Sequence, residues 1–204
     1  MSDPIRLLLA DDQALVRGAL AALLDLESDL VVVAEVGSGD QVVPAATEHR
    51  PDVALLDVEM PGIDGIEATR ALKAALPATR VLIVTTFGRP GFLRRALQAG
   101  AEGIVVKDTP ARQLADAVRR VHGGLRVVDP VLAADSLVAG DSPLTARESD
   151  VLRAARDGAS VAAIARALFL SEGTVRNHLS GAIGKTGTSN RAEAVRVADQ
   201  LGWL

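Results

Sequence analysis

Val53-Ala54-Leu55-Leu56-Asp57-Val58-Glu59-Met60-Pro61-Gly62-Ile63-Asp64-Gly65 is an apolar run that ends on one carboxylate and breaks at once into a Pro/Gly turn. A buried strand of a parallel sheet reads this way, and open α/β sheets place their chemistry where such strands end. Three further runs have the same form. Ile5–Ala10 ends on Asp11-Asp12, Val81–Val84 ends on Thr85-Thr86, and Gly103–Val106 ends on Lys107. A lone Asp or Lys at a strand end is often only a turn residue or a solvated cation. Their joint occurrence at four strand ends instead predicts a pocket for Mg²⁺ and a phosphoryl group.

The pocket's chemistry follows from the residue types. Mg²⁺ takes oxygen ligands and keeps several waters. Asp12 and Asp57 can each give a carboxylate oxygen, the backbone carbonyl of Glu59 a third, and Asp11 can hold a metal-bound water. Metal neutralises the mutual repulsion of the acids and leaves Asp57 ionised as a nucleophile. The Thr85 hydroxyl and the Lys107 ammonium are placed to meet the incoming phosphoryl oxygens.

Apolar runs near 5–10, 30–36, 52–57, 80–85 and 103–106 alternate with helical patterns near 13–26, 39–50, 64–75, 90–99 and 110–122. Five such units predict a doubly wound, five-stranded parallel sheet with helices on both faces. In the first helix, Leu15, Val16, Ala19, Leu20 and Leu23 form the expected core stripe. Ala14, Arg17, Gly18 and Ala21 form a nearly uncharged back that a second copy could approach. The outward side of the fifth helix carries Arg112, Asp116, Arg119 and Arg120 as a polar rim, and a first-helix/fifth-helix contact is the expected dimer surface. Domain boundaries are expected at 1–123 and 142–204, with 124–141 a linker holding one short helix at 130–137.

The second domain reads as all helix. Thr145 and Glu148 form a capping box, Gly158 stops that helix, and Ser160, Ser171 and Asn190 open three more. The tight turn at Phe169-Leu170-Ser171 makes the middle pair a helix-turn-helix. On the helix from 172 to 186, Val175, Leu179, Ala182, Ile183 and Thr186 share the core side. Asn177, Ser180, Gly181 and Gly184 lie opposite, flanked by Thr174, Arg176, His178 and Lys185. Arg176 and Asn177 are the candidates for base edges, and Thr174, His178 and Lys185 for phosphates, with Ser180 between them.

Charge agrees with this division. Residues 1–141 hold 14 Lys/Arg against 20 Asp/Glu, whereas residues 142–204 hold 8 against 6. Only the second part is poised to meet an anionic partner, and its excess is small. The chain has no Cys, which excludes disulfides, thiolate catalysis and thiolate metal sites. No apolar run approaches the roughly 18 residues of a transmembrane helix. A cytoplasmic protein with no membrane partner is expected.

Residues 5–122 resemble a two-component receiver domain, a flavodoxin-like fold. The match rests on Asp11-Asp12, Asp57, Met60-Pro61-Gly62, Asp64-Gly65, Thr85 and Lys107. It implies acyl-phosphate formation on Asp57, with phosphate taken from a partner histidine kinase, and no activity beyond the domain's own phosphotransfer and dephosphorylation. Two positions depart from the pattern. Ile104 stands where receivers usually carry Tyr or Phe, and Asp108 stands where many have Pro.

Residues 144–198 resemble the LuxR/FixJ-type helix-turn-helix. The match is carried by Leu144–Glu148, Ile164–Leu168, Leu170–His178, Lys185–Gly187 and Asn190–Val195, with Thr186 in place of the usual Leu and Ser180 where several members have Lys. Together the halves resemble a NarL/FixJ-type response regulator, which binds double-stranded DNA and forms a homodimer on phosphorylation. Thr85–Phe92 also resembles, more weakly, the subgroup that controls a membrane fatty-acid desaturase in thermosensing systems. The alternative is a ligand-sensing or phosphorylation-independent transcription factor. Few aromatics argue against a ligand cage.

Overall fold

The computed structural model describes residues 3–86, 90–130, 132–133 and 142–204. Of the short helix expected at 130–137, residues 131 and 134–137 lie outside the described residues, as do Phe87, Gly88 and Arg89 of the desaturase-subgroup stretch. The chain divides into two compact units, the first reaching Ala133 and the second carrying the C-terminal helices.

The first unit alternates β1 (Ile5–Ala10), α1 (Ala14–Leu24), β2 (Leu30–Val36), a 3₁₀ turn (Gly39–Gln41), α2 (Val42–His49), β3 (Val53–Leu56), α3 (Gly65–Ala75), β4 (Arg80–Thr85), α4 (Pro90–Ala99), β5 (Gly103–Val106) and α5 (Ala111–His122). A sixth strand, β6 (Val127–Val128), pairs with Gly103–Ile104. The sheet therefore has one strand more than the five expected, and it begins inside the stretch assigned to the linker. All pairings are parallel, in the order β2-β1-β3-β4-β5-β6. The order reverses between β1 and β3, so a crevice opens at the carboxyl ends of those two strands.

Alternation along the strands feeds both faces. Leu7, Leu9, Val53, Leu55, Leu82 and Val84 pack with Ala21 and Leu24 of α1 and with Leu114, Val118 and Val121 of α5. Their neighbours Leu8, Ala54, Leu56, Ile83 and Ile104 are wholly buried and point to the other face. There α2 packs on α3, β1 and β2.

Helix α1 is rotated from the expected orientation. Ala21, read as part of the open back, is buried, while Leu15 of the supposed core stripe is 87% exposed and Leu23 44%. Arg17 supplies the physical reason. Its guanidinium turns inward to donate to the Asp11 carbonyl and pair with Glu35 at 3.6 Å. Arg119, read as part of an outward rim, is likewise held by Glu27 at 2.6 Å and Asp29 at 2.7 Å.

At the opposite end of the sheet from the crevice, Glu102 is an ionic hub. It accepts from Lys73 Nζ at 2.7 Å, Arg80 Nη1 at 3.2 Å and the Val81 amide at 2.7 Å. Burial alone would raise its pKa, but the three donors outweigh burial and hold it below the ordinary Glu value. A depressed carboxylate stabilises the fold above its unfolded-state pKa, about 4.3, and that stability is lost as pH falls through the lower folded value. Lys73→Met is expected to lower the urea midpoint at pH 7 and to converge on wild type in acid. Parallel pH profiles, followed by circular dichroism, would refute this role for Glu102.

The second unit holds α6 (Ala146–Ala154), α7 (Val161–Ala167), α8 (Glu172–Thr186) and α9 (Arg191–Gln200). All four start on a side-chain cap. Thr145 forms a reciprocal capping box with Glu148, while Ser160, Ser171 and Asn190 accept from Ala163, Thr174 and Glu193 amides. The core is aliphatic: Val151, Leu152, Ile164, Val175, Leu179, Ala182 and Ala198, with Trp203 packed against it.

Candidate phosphoryl site and nucleic-acid interface

The crevice gathers the residues expected of it. Asp11, Asp57 and Thr85 are 3%, 4% and 2% exposed, and Asp12 is open to solvent. Carboxylate oxygens of Asp11, Asp12 and Asp57 lie within 4.8 Å of one another. Lys107 Nζ sits 2.7 Å from Asp11 Oδ2 and 3.0 Å from Asp57 Oδ2. The direct Asp11–Lys107 pair was not legible in the sequence, which offered Asp11 only a metal-bound water. Glu59 is exposed on the loop after β3.

Backbone bonds fix these groups. The Asp57 amide donates to the Ala10 carbonyl and the Lys107 amide to the Thr85 carbonyl, tying neighbouring strand ends together. Asp57 Oδ1 accepts from the Val58 amide at 2.7 Å. Asp11 Oδ1 accepts from the Gln13 amide at 2.9 Å. Behind Asp57, Gly65 donates to the Val58 carbonyl and Asp64 caps α3 through the Glu67 amide.

Burial pushes the Asp57 carboxyl above its ordinary value, aided by Asp11 and only partly offset by Lys107 and the Val58 amide. Burial pulls Lys107 down, yet its bonds to Asp11 and Asp57 outweigh that and raise it. Two buried acids therefore share one ammonium. An all-oxygen donor set with one solvent-open member and surplus negative charge fits Mg²⁺.

The position three residues before Lys107, Ile104, is wholly buried in β5. An aromatic rotation has no side chain to carry it there.

In the second unit, Arg176, Asn177, Ser180, Gly184 and Lys185 are exposed on α8, with Thr174 and His178 half-buried. Three placements refine the sequence reading. The Thr174 hydroxyl is within 2.8 Å of Ser171 Oγ, so it belongs to the helix cap. Gly181 does not lie on the open face: a Cβ there would stand 2.7 Å from Glu148 Oε1. Lys185 reaches back to Glu148 Oε2 at 2.7 Å, and the same oxygen accepts from the Thr145 amide and hydroxyl. Burial raises the Glu148 pKa, but Lys185 and Thr145 more than reverse this. Arg176, by contrast, pairs with the exposed Glu172, at 2.7 Å.

The turn before α8 has one backbone anomaly. Phe169 has φ +55° and is 96% exposed. A bulky L-residue in this region costs about 1–2 kcal/mol.

Residues 7–119 match the family described as response regulator receiver domain, and residues 142–198 match bacterial regulatory proteins, luxR family. The chain belongs to the response regulators. More narrowly, this response regulator is of the NarL/FixJ type, a DNA-binding transcriptional regulator. It is 40% identical over 200 residues to the transcriptional regulatory protein DesR of Bacillus subtilis (strain 168), across 98% of this chain and 99% of that one. It is equally 40% identical over 200 residues to the uncharacterized transcriptional regulatory protein YvfU of the same organism, across 98% and 100%. Among solved structures, the response regulator ChrA of a heme-sensing two-component system aligns over the whole of both chains, with 36% identity and a TM-score of 0.60.

Proposed function

We propose that this response regulator is phosphorylated on Asp57 by a partner histidine kinase, and that the phosphorylated receiver forms homodimers that bind paired DNA half-sites. The observation that carries this reading is the Asp11–Lys107–Asp57 triangle at the strand-order reversal, with Asp12 at its mouth. An Asp57 carboxylate oxygen attacks the phosphorus of the kinase's phosphohistidine. The new O–P bond forms as the P–N bond breaks, and the imidazole departs to take up a proton.

Asp12, Asp57 and the Glu59 carbonyl would hold Mg²⁺, which supplies charge neutralisation between phosphoryl oxygens and carboxylates. Lys107 meets one phosphoryl oxygen and the Thr85 hydroxyl another. Drawing Thr85 and the loop after it inward shifts a pre-existing receiver equilibrium. The receiver's chemistry is confined to gaining and losing this phosphate, and the protein acts in the cytoplasm. Among the described residues no helix is long and apolar enough to cross a membrane.

The dimer surface follows from the observed rotation of α1. Leu15 and Leu23 are exposed along one side of α1 with Ala19 and Ala22 between them, and Leu26 is exposed in the turn just beyond. Such a continuous apolar stripe on a charged protein marks a protein interface. Gly18 beside it has open space where a Cβ would stand. Gly18→Glu should leave the fold intact and abolish dimerisation of the phosphorylated chain in sedimentation. An undiminished dimer would rule this face out.

On DNA, magnitudes separate Arg176 from Lys185. Arg176 gives up an exposed pair worth at most about 1 kcal/mol, so its guanidinium is available to a base. Lys185 would have to give up its 2.7 Å bond to Glu148, a carboxylate with little exposure that only the Thr145 amide and hydroxyl would then hold, so it loses more than Arg176 does. Arg176→Ala should therefore weaken specific binding by ~1–3 kcal/mol and relax one base pair. Lys185→Ala should act mainly on thermal stability. Footprinting across salt concentrations, with and without acetyl phosphate and Mg²⁺, tests the whole reading. Tight monomeric binding indifferent to phosphorylation would overturn it.

A further inference from the structure

Among the described residues, five helix ends close with the same pair of backbone bonds. The residue after the helix takes a positive φ, its own amide donates three residues back, and the next amide donates five residues back. After α4 the residue is Gly100, after α5 Gly124, after α8 Gly187 and after α9 Gly202. After α7 it is Phe169, whose amide donates to Arg166 while Leu170 donates to the Ala165 carbonyl. The chain thus uses glycine at four of these positions and a phenylalanine at the fifth.

Among the described residues, burial of the ring does not repay that choice. Leu168 and Leu170 on either side pack against the aliphatic core. Phe169 between them is almost wholly in water. It is strained and buries nothing. Strained non-glycine backbone clusters at binding and functional sites.

Its position identifies the use. Phe169 lies two residues before Ser171, the cap of α8, on whose open face Arg176 and Asn177 lie. In a helix-turn-helix, the first residues of the second helix enter the major groove. The turn leading into it is carried to the wall of that groove. Apolar surface there is of two kinds, thymine C5-methyl groups and the edges of deoxyribose rings, and a phenyl ring suits either.

We propose that Phe169 is a DNA-contacting residue, making an apolar contact with the wall of the major groove. This rests on the chain's DNA binding and deepens it: one uncharged contact accompanies Arg176 in a domain with few charges to spend on phosphates. Because no counterion is released, the contact adds affinity without adding salt dependence.

The test uses the full-length phosphorylated chain and a duplex that it selects from a randomised pool. Phe169→Gly and Phe169→Asn both suit a positive φ, so they should melt at or above the wild-type temperature. Both should bind the duplex roughly tenfold more weakly. The slope of log Kd against log salt should not change. Replacing thymines one at a time by deoxyuridine separates the two apolar sources. A thymine methyl contact appears as one position where wild type loses affinity and the variants do not. A deoxyribose contact leaves wild type indifferent at every position while the variants stay weaker.

Variants that bind as tightly as wild type would overturn the proposal, including when transcription alone suffers, which would assign Phe169 to a protein partner. A loss of affinity accompanied by a changed salt slope would also overturn it, since phosphate contacts would then have moved. Failure of wild type to select any duplex would overturn the DNA-binding reading itself.

Discussion

Asp57→Asn is expected to abolish phosphorylation while making the receiver more stable. Incubated with acetyl phosphate and Mg²⁺, wild type should gain the mass of one phosphoryl group and the variant none. The stability sign follows from the site. Asp57 is buried beside Asp11, and its raised pKa means that folding disfavours its ionised form. At neutral pH the native state bears that cost in full. An amide removes the charge yet still accepts from the Val58 amide. Lys107 keeps Asp11 at 2.7 Å, so no ammonium is left unpaired. The melting temperature should therefore rise as the phosphorylation is lost. Phosphate gained by the variant at the wild-type rate would move the acceptor elsewhere. An unfolded variant would show that the carboxylate is needed structurally.

The legible part of this site was its order along the chain. Each apolar run ended on the residue that the fold delivers to the crevice, because a parallel sheet aligns all its carboxyl ends. The Asp11–Lys107 pair was not legible, since a pairing between the ends of β1 and β5 depends on how far a lysine reaches, not on spacing. Helix α1 was misread for a different reason. Residues 14–16 and 19–24 are apolar throughout, so more than one stripe satisfies helical periodicity. What fixed its rotation was one polar side chain, Arg17, and its bond to the Asp11 carbonyl. Strand β6 carries only two residues, too short for a period to show.

On α8, helical periodicity puts Gly181 and Gly184 together on the face opposite the core. Gly184 does face open space, but Gly181 makes room for Glu148. A sequence gives the size of a residue and not which neighbour requires it. The caps at Thr145, Ser160, Ser171 and Asn190 were legible because capping is local, decided within four residues.

Gly65→Ala is expected to damage the receiver more than any other alanine substitution near the crevice. A Cβ at Gly65 would stand 1.8 Å from the Asp57 carbonyl oxygen, 2.8 Å from the Asp57 carbonyl carbon and 3.2 Å from Val58 Cα. All three are backbone atoms, so no side chain can swing aside. The Gly65 amide also donates to the Val58 carbonyl at 3.0 Å, which holds α3 against this segment. Relief requires α3 to move away from β3 or the Asp57 peptide to shift. Overpacking of this kind costs about 1–3 kcal/mol or more. For a unit of this size each kcal/mol lowers the melting temperature by about 2–4 °C. The displaced peptide is the one that positions the Asp57 carboxylate between Asp11 and Lys107. The phosphorylation rate should therefore fall even at temperatures where the variant remains folded. Gly18→Ala is the control, because its Cβ meets open space in α1. There alanine should stabilise by up to about 1 kcal/mol through helix propensity alone. Thermal melts of the two variants should shift in opposite directions. Equal melting temperatures, or a Gly65→Ala protein phosphorylated as fast as wild type, would show that the loop after Asp57 yields where the packing says it cannot.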